Sequence, residues 1–165
     1  MDTTFKRSLL LSAIFFVLGE FTLPHYGITW DTINHLPRGQ AYLHYFLTGK
    51  RDYTDLLKFR LYRQKPESLP IDTDIPRADV PRRSFYQTDA ITFDWALEKD
   101  GKGGHPPLSD ILASVFNLVF FQKLGLINDI DSYRVYGVFL ASALVGLVFW
   151  WGSRRRAPRA PALRR

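Results

Sequence analysis

The feature that most constrains this chain is an uncharged apolar segment near its carboxyl end, from Val135 to Gly152. Its length of about 18 residues is close to what a helix needs to cross the hydrocarbon core of a bilayer. Arg134 precedes the segment, and a cluster of arginines, Arg154 to Arg156, follows it. The pattern predicts a membrane-spanning helix over residues 133–152.

Two further signals in this segment are typical of membrane helices. Trp150 and Trp151 lie where an aromatic belt meets the membrane interface. Gly137, Ala141 and Gly146 form a strip of small residues, and such strips allow two membrane helices to approach closely. We therefore expect this helix to pack against another one.

A second apolar segment lies at the amino end. The uncharged run from Ser8 to Gly19 follows Lys6–Arg7, and it is long enough to span only if Glu20 lies at the interface. A basic start before a short apolar run also describes a signal peptide, but no small-x-small cleavage site follows. We favour an uncleaved membrane anchor over residues 8–23.

The charge distribution predicts the topology. The net charge is +6, and the six arginines from residue 153 onward account for the whole excess. Positive residues flank membrane helices on the cytoplasmic side, so both termini are expected in the cytoplasm, which requires two crossings rather than three. This basicity indicates topology, and no nucleic-acid partner is expected.

These patterns together predict an all-α, multi-pass membrane protein with two transmembrane helices in a lipid bilayer. The expected parts besides the spans are a cytoplasmic amino terminus (1–7), a large external loop (24–132) and a basic cytoplasmic tail (153–165). Two amphipathic juxtamembrane helices are predicted within the loop, over about 36–48 and 107–127.

The two juxtamembrane helices differ in pattern. The first has an apolar side that we expect to lie on the membrane surface. The second carries Asp110, Ser114 and Asn117 on one side, and it could either span the membrane or lie in the interface. The apolar side of the first helix consists of Leu36, Leu43, Phe46 and Leu47.

Asp31 is the first candidate for catalysis. It is the only acid between Glu20 and Asp52, and a carboxylate just outside a membrane helix can act as a general base. The alternative is a solvated turn or helix-cap aspartate. His35 follows four residues later, so the two side chains could pair or share a divalent metal. The chain has no cysteine, which excludes thiol catalysis and cysteine-ligated zinc.

His105, in the sequence G-H-P-P-L, is the second candidate. The two prolines could hold it rigidly as a contact to phosphate or sugar. The alternative is an ordinary interfacial histidine before a helix start.

Together these motifs resemble the beginning of membrane glycosyltransferases of the dolichyl-phosphate-mannose protein mannosyltransferase type (family 39), whose bacterial relatives include aminoarabinose transferases. The matching residues are Gly27, Trp30, Asp31, Gly39 and Gly104 to Leu108. The resemblance covers the chain up to about Gly152, as the amino-terminal part of a longer protein.

The resemblance implies a truncated GT-C fold, a polyprenyl-phosphate-linked sugar donor and an inverting transfer, in the bacterial inner membrane. Asp31 would be the catalytic base, and His105 and His35 would contact the substrate. Family members commonly have an acidic residue after the aspartate, where this chain has Thr32. Their donor cavity is built by later helices, so the chain is not expected to be active without the remaining helices or a partner membrane subunit.

The alternative is a non-catalytic two-span membrane protein. Its external loop would then bind a protein partner, and the small-residue strip of the last helix would serve assembly.

Overall fold

The computed structural model describes residues 2–25, 27, 32–56, 82–102 and 106–156. All regular structure in these ranges is helical, and they contain no strand. Two helical segments, Thr3–His25 and Asp129–Arg155, are long and apolar enough to cross a membrane. The prediction of an all-helical chain with two candidate membrane spans is confirmed at this level.

The helices fall into two compact units. The paired-helix unit is Met1–His25 with Gly137–Arg165, and the loop unit is Tyr26–Tyr136. The helices are α1 (Thr3–Thr22), a 3₁₀ turn (Leu23–His25), α2 (Thr32–Thr48), α3 (Phe93–Gly101), α4 (Leu108–Asn117), a π-helix (Leu118–Lys123) and α5 (Asp129–Arg156).

Serine hydroxyls join α1 to α5 in the paired-helix unit. Ser8 Oγ donates to the carbonyl of Gly146 at 2.6 Å, and Ser12 Oγ donates to the carbonyl of Ser142 at 2.8 Å. A Cβ atom at Gly146 would overlap the Ser12 hydroxyl. The close approach of the two helices therefore depends on this glycine, as expected for small residues between membrane helices.

Of the predicted packing strip, Gly146 meets α1, whereas Gly137 and Ala141 do not. Among the described residues, a Cβ built on Gly137 would meet no atom of another element within 4 Å, and Ala141 is exposed. The face of α5 that meets α1 is instead Val138, Ser142 and Gly146. Their four-residue spacing follows the helical repeat, which aligns residues i and i+4 on one side.

The remaining faces of α1 and α5 are apolar and exposed. Ser8 and Ser142 are buried, whereas large apolar side chains point away from the helix pair. This arrangement suits lipid or further protein around the pair, because exposure of so many apolar side chains to water would be unfavourable. The most exposed ones include Leu10, Leu18, Phe21, Leu144 and Leu147.

Arginines cover both tryptophans near the end of α5. The guanidinium carbon of Arg154 lies 4.4 Å from the ring centroid of Trp150, and that of Arg155 lies 4.1 Å from Trp151. Such cation–π contacts are common where a membrane helix meets water and headgroups.

In the loop unit, α2 begins four residues before the predicted start at 36, so Pro37 lies inside the helix. Proline has no N–H group, and one backbone hydrogen bond of the helix is therefore missing. The helix ends at Gly49, which has φ of 73° and donates its N–H to the carbonyl of Tyr45 at 2.8 Å.

The predicted apolar side of α2 does not form one outward surface. Leu43 is buried, and Leu36 packs against a buried cluster, whereas Phe46 and Leu47 are each 62% exposed. The prediction of a surface helix is wrong for the first two leucines, because α2 is covered by other helices along the continuous buried stretch Pro37–His44.

Two small apolar clusters hold the loop unit together. In one, Tyr42 meets Phe93 edge to face at 5.4 Å between ring centroids, and Tyr45 stacks on the same ring at 3.9 Å. These contacts fix α3 against α2. The first cluster is Ala41, Tyr42, Phe93 and Ala96, and the second is Tyr86, Ala113 and Tyr133.

The polar side of α4 faces inward. Asp110, Ser114 and Asn117 are buried, whereas Leu108 is 65% exposed. The helix then changes from α to π geometry and ends before Gly125, which has φ of 63°. Buried polar side chains need hydrogen-bond partners, and those partners come largely from α2.

Candidate functional site

A buried ion cluster lies where α2, α3 and α4 meet, with Arg38 at its centre. Arg38 Nε and Nη2 donate to Asp110 Oδ2 at 2.8 and 2.5 Å. Arg38 Nη1 donates to Asp100 Oδ1 at 2.8 Å. One guanidinium from α2 thus joins a carboxylate near the end of α3 to one in the first turn of α4, a geometry that arginine's planar donors favour.

Because the cluster is buried, the loss of one of its charges should strongly destabilise the fold. The side chains of Arg38 and Asp110 are nearly fully buried, and removing one partner of a buried ion pair costs about 3–5 kcal/mol because the other charge stays uncompensated. Gly39 permits the close approach, since a Cβ there would overlap the carbonyl of Asp110 and the hydroxyl of Ser114.

Tyr42 extends the cluster by one turn of α2. Its hydroxyl donates to Asp100 Oδ2 at 2.5 Å. Burial first, and then the hydrogen bond and negative charge of Asp100, raise the pKa of Tyr42 to about 12. The phenol therefore stays protonated at neutral pH and remains a donor to this carboxylate.

His35 connects the start of α2 to the same cluster. Its Nδ1 lies 3.1 Å from Asp110 Oδ2 and 3.2 Å from Arg38 Nη2. Depending on the tautomer, Nδ1 donates to the carboxylate or accepts from the guanidinium. The predicted substrate contact His35 is thus held by the ion cluster.

The other predicted site residues, Asp31 and His105, lie outside the described residues, as do Trp30 and Gly104 of the proposed motifs. Gly27 is described: its carbonyl accepts from Arg134 Nη2 at 2.7 Å.

The ion cluster joins the two helices that directly follow the two motifs in sequence. Asp31 directly precedes Thr32, the first residue of α2, and His105 is three residues before Leu108, the first residue of α4. The contact of His35 with Asp110 joins the first turns of these two helices.

The spacing of Asp31 and His35 in the sequence would allow them to share a divalent metal. In the part of the chain that the structure describes, no group of three or more His, Asp or Glu side chains is arranged to hold a metal ion. His35 is engaged with Arg38 and Asp110 instead.

A second buried network continues along the α2–α4 contact. Gln40 Nε2 donates to Asn117 Oδ1 at 3.1 Å and to the hydroxyl of Tyr133 at 2.7 Å. Asn117 Nδ2 donates to Asp129 Oδ1 at 2.7 Å, and Ser84 Oγ lies 2.6 Å from the Tyr133 hydroxyl. This network fixes the first turns of α5 against α2 and α4.

Sequence reasoning missed Arg38, Asp100 and Asp110 as one cluster. The available signal was the spacing of Asp110, Ser114 and Asn117, which places three polar side chains on one helix face. From the sequence alone, this face is the polar side of an amphipathic helix that could either span the membrane or lie in the interface. The partner Asp100 has no local signal, because it is brought to Arg38 only by the packing of α3.

The contacts of the cluster indicate that it positions helices and does not itself take part in catalysis. Both carboxylates already accept from Arg38, so neither is poised to take a proton from a substrate. The cluster instead fixes the beginnings of α2 and α4 relative to each other. No protein-family model matches this chain, and neither a curated protein nor a solved structure is significantly similar to it.

Proposed function

We propose that this chain is the loop-bearing, amino-terminal part of a membrane glycosyltransferase that transfers a sugar from a polyprenyl-phosphate donor to an acceptor hydroxyl. Asp31 is the proposed general base, and His105 and His35 are proposed substrate contacts. The observation that carries the proposal is the contact of His35 and Arg38 with Asp110, which ties the helix after one motif to the helix after the other.

A sugar-transfer reaction needs a general base that is held in a fixed position. A general base works only when it is held within hydrogen-bond reach of the acceptor hydroxyl, beside the donor. Asp31 and His105 are far apart in sequence, and each stands at the entrance to a helix. The buried Arg38–Asp110 pair, together with the contact of His35 with Asp110, joins the first two turns of α2 to the first turn of α4, and this would keep the starts of the two helices close to each other.

The proposed orientation places both termini in the cytoplasm and the loop unit outside a bacterial inner membrane. Because the chain has no cysteine, a single Asp89→Cys change introduces a unique thiol at an exposed position. We expect a membrane-impermeant thiol reagent to label it in intact spheroplasts. A Ser153→Cys control should react only after the membrane is opened, and the reverse pattern would refute the orientation.

The catalytic proposal is tested in the enzyme that contains this chain, with Asp31→Asn. We expect sugar transfer to fall by about 10²-fold or more, since a positioned general base contributes about 10²–10⁴-fold, while membrane insertion is unchanged. The matched control is Asp89→Asn, another single loss of a carboxylate. Unchanged transfer in Asp31→Asn would remove Asp31 from the mechanism.

The second candidate is a non-catalytic two-span protein whose loop binds a partner. It is favoured by the broad exposed apolar faces of α1 and α5, which a partner's helices could cover as well as lipid. Purification with a stoichiometric membrane partner, together with no retention of a labelled lipid-linked sugar, would support this candidate over the first.

A further inference from the structure

A cavity of about 410 Å³ lies in the loop unit, away from the Arg38 cluster. Its walls come from the second half of α2, the π-helix and the segments around residues 55 and 83. Among the described residues, the lining contains three cations, Arg82, Arg83 and Lys123, and one carboxylate, Asp55. The excess of positive charge predicts an anionic occupant.

The carboxylate is already engaged by a neighbour. His44, which is buried, places Nε2 at 3.0 Å from Asp55 Oδ1. Asp55 is therefore held by His44, and among the described lining residues it is outnumbered by Arg82, Arg83 and Lys123.

The fold holds two of the three cations, Arg83 and Arg82, in place through contacts with neighbouring residues. Arg83 is buried, donates from Nη2 to the carbonyl of Gln87 at 2.5 Å, and lies 5.4 Å from the ring centroid of Tyr53. The guanidinium of Arg82 occupies the space where a Cβ of Gly125 would be. Only glycine suits this position, since its φ is 63°.

The other walls are apolar. Leu43, Leu47 and Leu118 line the cavity, and exposed apolar side chains follow the lining residues in sequence, among them Leu124 directly after Lys123. A small free anion gains nothing from such walls. A molecule with a phosphate group and an acyl chain satisfies both the cations and the leucines.

We propose that this cavity binds an anionic phospholipid, with its phosphate at Arg82 and Lys123 and its acyl chain along Leu47 and Leu118. This site is separate from the proposed sugar transfer, because none of its residues belongs to the Arg38 cluster or to the two motifs. It would hold the loop unit at an anionic membrane surface.

The test compares lipid retention by the purified full chain in neutral detergent, after addition of phosphatidylglycerol or phosphatidylcholine, by native mass spectrometry. We expect the wild-type chain to retain phosphatidylglycerol preferentially. The double change Arg82→Ala with Lys123→Ala should reduce this preference about tenfold or more, from the loss of two charges near the headgroup. Arg82→Lys with Lys123→Arg keeps the charge and should keep the preference.

The matched control is Lys99→Ala with Lys102→Ala, two exposed cations outside the cavity. An equal loss of phosphatidylglycerol in this control, or no preference in the wild type, would overturn the proposal. Glycerol phosphate that displaces the lipid at equal concentration would also overturn it, in favour of a free phosphate ligand. Should the double variant unfold, the single change Lys123→Gln at an exposed position must still lower the preference.

Discussion

The two units place polar and apolar groups in opposite ways. In the paired-helix unit two serine hydroxyls donate to backbone carbonyls between the helices, and many large apolar side chains face outward. In the loop unit Arg38 and Asp110 are buried between helices, together with the partly buried Asp100. The first arrangement suits an apolar surrounding, whereas in the second the arginine and the two aspartates are partners for one another.

The comparison shows what each unit depends on. Helix association in a membrane gains little from apolar burial, so close packing and a few hydrogen bonds decide it. The apolar clusters in the described part of the loop unit are small, so the ion cluster and the Gln40–Asn117 network largely fix the relative placement of α2, α3 and α4. Breaking polar contacts should therefore affect the loop unit more than the paired-helix unit.

The largest effect is expected from Arg38→Met, which leaves the buried Asp110 and the partly buried Asp100 without their cation. We expect the full chain in detergent to lose about 3–5 kcal/mol in the stability of the loop unit, with faster hydrogen exchange in α2 and α4 as the readout. The control Arg51→Met removes an exposed pair with Asp94 and should cost at most about 1 kcal/mol. Similar losses in both variants would show that the cluster does not hold the unit.

A smaller effect is expected from Tyr42→Phe, which removes a hydrogen bond to the Asp100 carboxylate. Hydrogen bonds to charged groups contribute about 1.5–3 kcal/mol. Because the folded-state pKa of Tyr42 is raised to about 12, from about 10 in an unfolded chain, its contribution is complete below pH 10. It should be lost as pH rises from about 10 to 12.

The measurement is the unfolding free energy of wild type and Tyr42→Phe across this alkaline range, with Tyr45→Phe as a control on the same helix. The difference between wild type and Tyr42→Phe should shrink between these pH values. A difference that does not change with pH would mean that ionisation of Tyr42 is not linked to folding.

The smallest effect is expected in the paired-helix unit. Ser8→Ala with Ser12→Ala removes both hydroxyl donors between α1 and α5, and such bonds between membrane helices average about 0.6 kcal/mol each. Cross-linking of cysteines placed on the two helices should report a modest loss of association. A loss as large as that of Arg38→Met would contradict the contrast between the units.

The two candidate membrane spans are predictable from the sequence, because their signal is an uncharged apolar run whose length is close to the thickness of a bilayer. The spacing of the polar residues in α4 predicts that they share one face of the helix. It does not predict that this face points into the protein. The polar face of a helix usually points toward water. Asp110 and Asn117 can be buried because Arg38 and Gln40 of α2 donate hydrogen bonds to them.

The sequence by itself determined where the apolar helices lie, where the charge excess lies and which short motifs invite a catalytic hypothesis. Tertiary structure alone decided that Gly146 rather than Gly137 meets α1, that Leu43 is buried, and that Asp100 joins Arg38. The reason is physical. An apolar run or an excess of charge interacts with the surrounding solvent, and each is formed by residues that are neighbours in the sequence. A buried ion pair depends on groups distant in sequence, and it forms only when packing brings them together.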